Sequence, residues 1–159
     1  MNYTVGMSDM RISADRDDVL VTSSLGSCIG VTLYDPAACV GGMIHCMLPL
    51  SQIDPVRAQA NPQMFADTGI PALIEGMLEV GAQKNRLIAK AAGAAKLLDE
   101  KGAFKIGERN YIVFRKILWK NHIPVAAEDT GGTVARTVCL YINSGKTLVR
   151  CQGQERELT

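Results

Sequence analysis

Apolar residues recur along this chain in two rhythms, one that alternates or runs without a break over a few positions and one that returns every three or four. Asp18-Val19-Leu20-Val21-Thr22 reads as a short buried strand, and Ser23-Ser24-Leu25-Gly26-Ser27 interrupts it with a loop of mostly small residues before Cys28. Two apolar, β-branched stretches follow, Ile29 to Tyr34 and Val40 to Leu48. Between them Asp35-Pro36-Ala37-Ala38 predicts a turn, because proline is favoured at a turn's second position, and so the pair is expected to form a hairpin. The polar, proline-containing stretch Ser51 to Pro62 holds no sustained period and reads as an exposed loop.

The slower rhythm begins at Phe65. Phe65, Ile70, Leu73, Ile74, Met77 and Leu78 predict an amphipathic helix up to Val80, with Gly81 as its stop. Arg86 to Ala92 is ambiguous: Leu87, Ala89 and Ala91 alternate like a strand, whereas the alanine-rich continuation to Leu98 suits a helix. A strand, Gly93 and a short helix are the favoured reading. Glu108 to Lys120 reads as a second helix, with Tyr111, Phe114, Ile117 and Leu118 on one face and charges placed as the helix dipole prefers. Pro124 to Ala127, Thr137 to Ile142 and Thr147 to Cys151 read as strands, the last two joined by a hairpin turn at residues 143–146. Strands, then helices, then strands predict an α+β protein with mixed, largely antiparallel β-sheets flanked by helices. A length of 159 residues suits a single domain spanning 1–159.

Composition narrows the function. Seventeen basic against sixteen acidic residues give a formal charge of +1, without the basic excess that binding nucleic acid requires. No apolar run approaches the roughly 20 residues of a membrane span and no export signal opens the chain, so a cytoplasmic protein without membrane insertion is expected. The five cysteines are then expected as free thiols, and none has the CxxC spacing of structural zinc.

One thiol acquires a base from the hairpin. If the turn is centred between Pro36 and Ala37, cross-strand partners have numbers that sum to 73, and Cys28 opposes His45. A thiol beside an imidazole is an activated nucleophile, and small Gly26 and Ser27 would leave backbone N–H groups free for an oxyanion. Cys46, one residue along, should face the other way. Cys39, Cys46, Cys139 and Cys151 read as small packing residues, and His122 as a cation at a helix C-terminus. Taken alone, Thr22 is an ordinary strand residue.

Leu25-Gly26-Ser27-Cys28-Ile29-Gly30-Val31, Tyr34-Asp35-Pro36 and Gly41-Gly42-Met43-Ile44-His45 together resemble the CheD family of bacterial and archaeal chemotaxis. So do Asp67-Thr68-Gly69-Ile70-Pro71, Ile106-Gly107-Glu108-Arg109-Asn110 and Ile123 to Gly132, and the resemblance extends from Tyr3 to Val149. Ala91-Ala92-Gly93-Ala94-Ala95 departs from it, where the family carries a bulky residue and a glycine pair. The resemblance implies the cysteine-hydrolase fold shared with cytotoxic necrotizing factor. It also implies a protein-glutamine deamidase that converts glutamines of methyl-accepting chemotaxis receptors to glutamate, with a possible side activity on glutamyl methyl esters. Cys28 would be the nucleophile, His45 the base and Thr22 the residue that orients it, with no cofactor or metal and a CheC-type phosphatase as a possible partner.

Two other readings compete. One is a non-catalytic docking module for receptors and a CheC-type phosphatase. The other is a thiolate metal site of Cys28, Cys39, His45 and Cys46, disfavoured because adjacent strand residues face opposite ways.

Overall fold

The computed structural model describes residues 1–96 and 105–159. In chain order its strands are β1 (Asn2–Thr4), β2 (Asp9–Ser13), β3 (Val19–Leu25), β4 (Ile29–Asp35), β5 (Val40–Cys46), β6 (Ile88–Gly93), β7 (Val125–Thr130), β8 (Arg136–Tyr141), β9 (Thr147–Cys151) and β10 (Gln154–Glu157). Its α-helices are α1 (Pro55–Ala60), α2 (Ala66–Glu79) and α3 (Ile106–Lys120). The strands form two five-stranded sheets, ordered β1-β3-β8-β9-β10 and β2-β5-β4-β6-β7. Each is antiparallel but for one parallel pair, β1 with β3 and β6 with β7. The α+β class with mixed, largely antiparallel sheets is thus found as expected.

The second sheet lies between the first sheet and the helices. One of its faces packs Ile29, Val31, Leu33, Ile44 and Cys46 against Ile70, Leu73 and Met77 of α2 and Phe114 and Leu118 of α3. Its other face packs Cys28, Met43 and Ala92 with Leu20, Leu25, Val138, Leu140 and Val149 of the first sheet. Every position of β4 and β5 is buried, which is why their sequences run apolar without alternation. The parallel pair β6 and β7 is joined through α3, as a parallel pairing requires a crossover.

Several elements differ from the sequence-based expectation, each for a local reason. β3 does not stop at Thr22: a β-bulge between Thr22 and Leu25, with Ser24 in the left-handed region at φ 60°, lets pairing with β8 resume at Leu25 opposite Arg136. The β4–β5 turn spans Pro36 to Cys39 instead of being centred between Pro36 and Ala37. The buried Asp35 carboxylate accepts the N–H groups of Ala37 (3.0 Å) and Ala38 (3.1 Å), and Cys39 closes the turn at φ 55°. Ser51 to Pro62 contains α1, capped by Asp54 accepting from Arg57 N–H. Ala94 to Lys96 follow Gly93 without helical structure, and the rest of the short helix expected there lies outside the described residues. The helices near 65–80 and 108–120, and the strands near 124–127, 137–142 and 147–151, stand within a few residues of their expected places.

Candidate active site

Strand geometry decides which side chains meet. Asp35 pairs with Val40, so cross-strand numbers sum to 75, and His45 lies directly opposite Gly30 rather than Cys28. The expected direct opposition of Cys28 and His45 is therefore corrected by two residues. A two-residue shift preserves faces, so Cys28, Gly30 and His45 still belong to the layer between the sheets. Gly30 brings no side chain to this layer, and a Cβ there would meet Leu25 at 2.8 Å. Cys46 points into the helix-side core, as expected.

Across the layer, β3 brings Thr22 to His45. Thr22 Oγ1 lies 2.7 Å from the carbonyl oxygen of Val5 and 2.8 Å from His45 Nδ1, all of it buried. A carbonyl only accepts, so the single hydroxyl hydrogen of Thr22 goes to Val5, and Thr22 must accept a proton from His45 Nδ1. The neutral imidazole is thereby held as the Nδ1–H tautomer, with Nε2 carrying the lone pair. Nε2 is buried and has no hydrogen-bond partner among the described residues. In this free state Cys28 and His45 share a layer without being hydrogen-bonded, an arrangement common before substrate closes a site.

The loop that carries Cys28 is held through its carbonyls. Gly26 O accepts from Ala95 N–H at 2.8 Å, Cys28 O from Ala94 N–H at 2.7 Å, and Ser27 O from Asn110 Nδ2 at 2.9 Å. Gly93 permits this approach, since a Cβ there would stand 2.4 Å from Cys28 O, and its φ of 102° favours glycine. Ala94 next to it also adopts a left-handed φ of 52°, where an L side chain is strained. Among the expected oxyanion donors, Gly26 N–H is taken by Ser24 O at 3.0 Å and is not free. Ser27 N–H has no acceptor among the described residues.

Burial sets the electrostatics. It pushes the Cys28 thiol above its ordinary value of 9.0, against a lesser pull downward from the residue's own N–H. It also lowers His45 from 6.5 to about 4, so the imidazole stays neutral at neutral pH. The pair therefore rests as thiol and imidazole, not as an ion pair. Cys28 keeps 9% of its surface exposed whereas Cys46 keeps none, so only the former opens to a substrate. The Cys46 thiol is raised more strongly, by burial and then by the nearby Cys28 and Asp67.

The remaining candidates stand apart from this constellation. Cys39 sets its thiol against Ile142 O at 3.2 Å, Cys139 and Cys151 are half-buried on the first sheet, and His122 follows α3 with its N–H on Trp119 O. Sequence reasoning missed the Val5 carbonyl, the Ala94 and Ala95 N–H groups and the Asn110 carboxamide. Asn110 had left a signal as a polar residue within the Ile106 to Asn110 motif, and Ala94 and Ala95 as members of the stretch that departs from the family. No described helix is long and apolar enough to cross a membrane.

Residues 47–151 match the family described as CheD chemotactic sensory transduction, a stretch that begins two positions after His45. Curated relatives cover the site as well. A protein of Solibacter usitatus named "Probable chemoreceptor glutamine deamidase CheD" is 52% identical over 97% of this chain and 91% of its own length. A protein of Syntrophus aciditrophicus with the name "Probable chemoreceptor glutamine deamidase CheD 1" is 48% identical over 94% of this chain and 93% of its own. One of Anaeromyxobacter dehalogenans, "Probable chemoreceptor glutamine deamidase CheD 2", is 44% identical over 95% of each chain. With near full-length identity of this order, this chain belongs to the CheD family.

Proposed function

We propose that this chain is a chemoreceptor glutamine deamidase, a hydrolase of side-chain carboxamides, with Cys28 as nucleophile, His45 as base and Thr22 as its positioning residue. The observation that carries the reading is the Val5–Thr22–His45 hydrogen-bond chain, which leaves Nε2 as the one basic nitrogen of an imidazole in the layer that holds Cys28. The names of the relatives supply the substrate.

His45 Nε2 takes the proton of the Cys28 thiol as sulfur attacks the glutamine carboxamide carbon, and the carbonyl electrons move to oxygen. Ser27 N–H and Cys28 N–H, neither with a backbone acceptor among the described residues, are the donors left open for that oxyanion. The imidazolium then protonates the departing nitrogen, ammonia leaves and a thioester remains. His45, neutral again, draws a proton from water, and hydroxide addition releases glutamate and restores the thiol. Through the whole cycle Nδ1–H stays on Thr22, so the ring keeps one orientation in both protonation states. A glutamyl methyl ester would pass through the same thioester, with methanol leaving in place of ammonia. The same reading places the protein in the cytoplasm, beside the receptors' signalling regions and within reach of a CheC-type phosphatase.

The test is incubation with a chemoreceptor cytoplasmic fragment. Glutamines of the fragment should gain about 1 Da each, with ammonia released in step, because a thiol acyl transfer converts amide to acid. No mass gain with a folded protein, or a gain undiminished by Cys28→Ala, would overturn the reading. An undiminished biological effect of Cys28→Ala would instead favour the docking module.

A further inference from the structure

We propose that Asn110 is a second positioning residue, one that sets the spacing between Cys28 and His45; this rests on the function proposed above. Asn110 is fully buried in the early part of α3 and projects its carboxamide under the catalytic strands. Its Nδ2 donates both hydrogens, one to Ser27 O at 2.9 Å and one to Met47 O at 3.1 Å. Ser27 immediately precedes the nucleophile and Met47 stands two residues after the base. One planar amide thus ties the loop of Cys28 to the end of the strand of His45.

The orientation of that amide is forced, because its oxygen facing two carbonyl oxygens would be repulsive and only an NH₂ can serve both. The consequence is an Oδ1 that is buried without a partner among the described residues. An unpaired buried acceptor costs stability, and an apolar side chain would avoid it. What the amide supplies in return is the pair of donors. It also fixes the Ser27 peptide carbonyl on the helix side, and with it the plane of the peptide that carries Cys28 N–H.

A second route runs from α3 to the same loop. A Cβ on Gly107, one turn before Asn110, would stand 2.4 Å from Ala95 O and 2.8 Å from Ala94 C. The first turn of α3 is therefore pressed onto the two residues whose N–H groups hold Gly26 O and Cys28 O. Since Nε2 of His45 is not yet bonded to sulfur in the free state, small shifts of this loop decide whether the proton can pass.

Deamidation of a chemoreceptor cytoplasmic fragment tests the inference in three variants, each measured per folded molecule. Asn110→Ala should lower kcat roughly ten- to a hundredfold with KM within about twofold, since misplacement of a reacting group by about 1 Å costs that order of rate. Wild-type kcat in folded Asn110→Ala would overturn it. Should Asn110→Ala fail to fold, Asn110→Asp decides through its pH profile. The carboxylate lacks donors, whereas the protonated acid regains one, so activity relative to wild type should rise from about pH 8 to about pH 5. A flat ratio would overturn the inference, as packing alone predicts it. Cys28→Ala separates the two levels of the argument. If it stays active, the reading of the site fails with everything built on it. If it is inactive while folded Asn110→Ala turns over normally, only the role of Asn110 fails.

Discussion

The two faces of the second sheet differ most at adjacent residues of β5, where His45 enters the layer between the sheets and Cys46 enters the layer under the helices. Burial raises the thiols of both Cys46 and Cys28, so thiol acidity does not single out a nucleophile. The difference lies in what else each face holds. Cys46 is fully buried in the core under the helices, opposite Ile29, and the nearby Cys28 and Asp67 raise its thiol further, which keeps it inert. On the Cys28 face, Thr22 and the Val5 carbonyl fix an imidazole with its basic nitrogen free. On the proposed function, reactivity in this sheet is a property of the face, set by a neighbour from another sheet.

The largest effects are expected where the two thiols are removed in turn. Cys28→Ala should lower deamidation by at least about a thousandfold with the fold retained, as loss of a nucleophile does. Cys46→Ala should keep wild-type turnover per folded molecule while losing about 1 to 2 kcal/mol of stability to a small cavity. Turnover assays paired with thermal unfolding read both. An inactive, folded Cys46→Ala would reverse the assignment of faces.

A milder change removes only the neighbour from the other sheet. Thr22→Val keeps the branched shape but deletes the hydroxyl, leaving both Val5 O and His45 Nδ1–H without their partner. Turnover per folded molecule should fall about ten- to a hundredfold, since an imidazole without its orienting partner can adopt the wrong tautomer. Thr22→Ser should retain most of the activity. If both variants turn over normally and only Tm falls, Thr22 is a structural residue.

The last effect expected is on stability against pH. His45 has a folded value of about 4, below the 6.5 of the unfolded chain. Between these values the unfolded chain binds more protons, so the contribution of a neutral, buried His45 is complete above 6.5 and is lost as pH falls toward 4. Asp35 acts in a lower window. Burial would raise its carboxyl, but the Arg86 guanidinium and the N–H groups of Gln83 and Ala38 outweigh that and hold it at about 2, against 3.8. Its contribution is lost as pH drops from 3.8 through about 2. Tm measured across both windows should fall in two stages, and His45→Gln should flatten only the first. An unchanged slope in that variant would show that His45 is not the group titrating there.

The sequence made the faces legible but not the distances. Alternation put Cys28 and His45 on one face and Cys46 on the other, and an error of two residues in the turn left that intact because the strand period is two. The turn differs from its expected centre because the Asp35 carboxylate organises four residues, including a left-handed Cys39, and no pairwise turn rule anticipates a buried acid with Arg86 on its other side. The bulge after Thr22 read as a loop because Ser23 and Ser24 carry no apolar signal. β1 has three residues and β10 no buried side chain, so neither leaves a pattern to read. Met10 and Ile12 in β2 do alternate with Asp9 and Arg11, and that signal was available. The role of Thr22 depends on the carbonyl of Val5, a backbone group that composition and spacing cannot reveal. It entered the reading through the family resemblance alone.

The tautomer of His45 is the most direct measure of the account. The chain has two histidines, so nitrogen-15 NMR of the imidazoles, with His122→Gln to assign them, resolves His45 without ambiguity. A neutral ring is expected at pH 7, with Nδ1 protonated and Nε2 bare, and Thr22→Val should relax that preference. A neutral ring with its proton on Nε2 in the wild-type protein at pH 7 would leave Cys28 without a base, and an imidazolium would mean a resting ion pair with the thiolate; either result contradicts a neutral Nδ1–H imidazole beside a thiol.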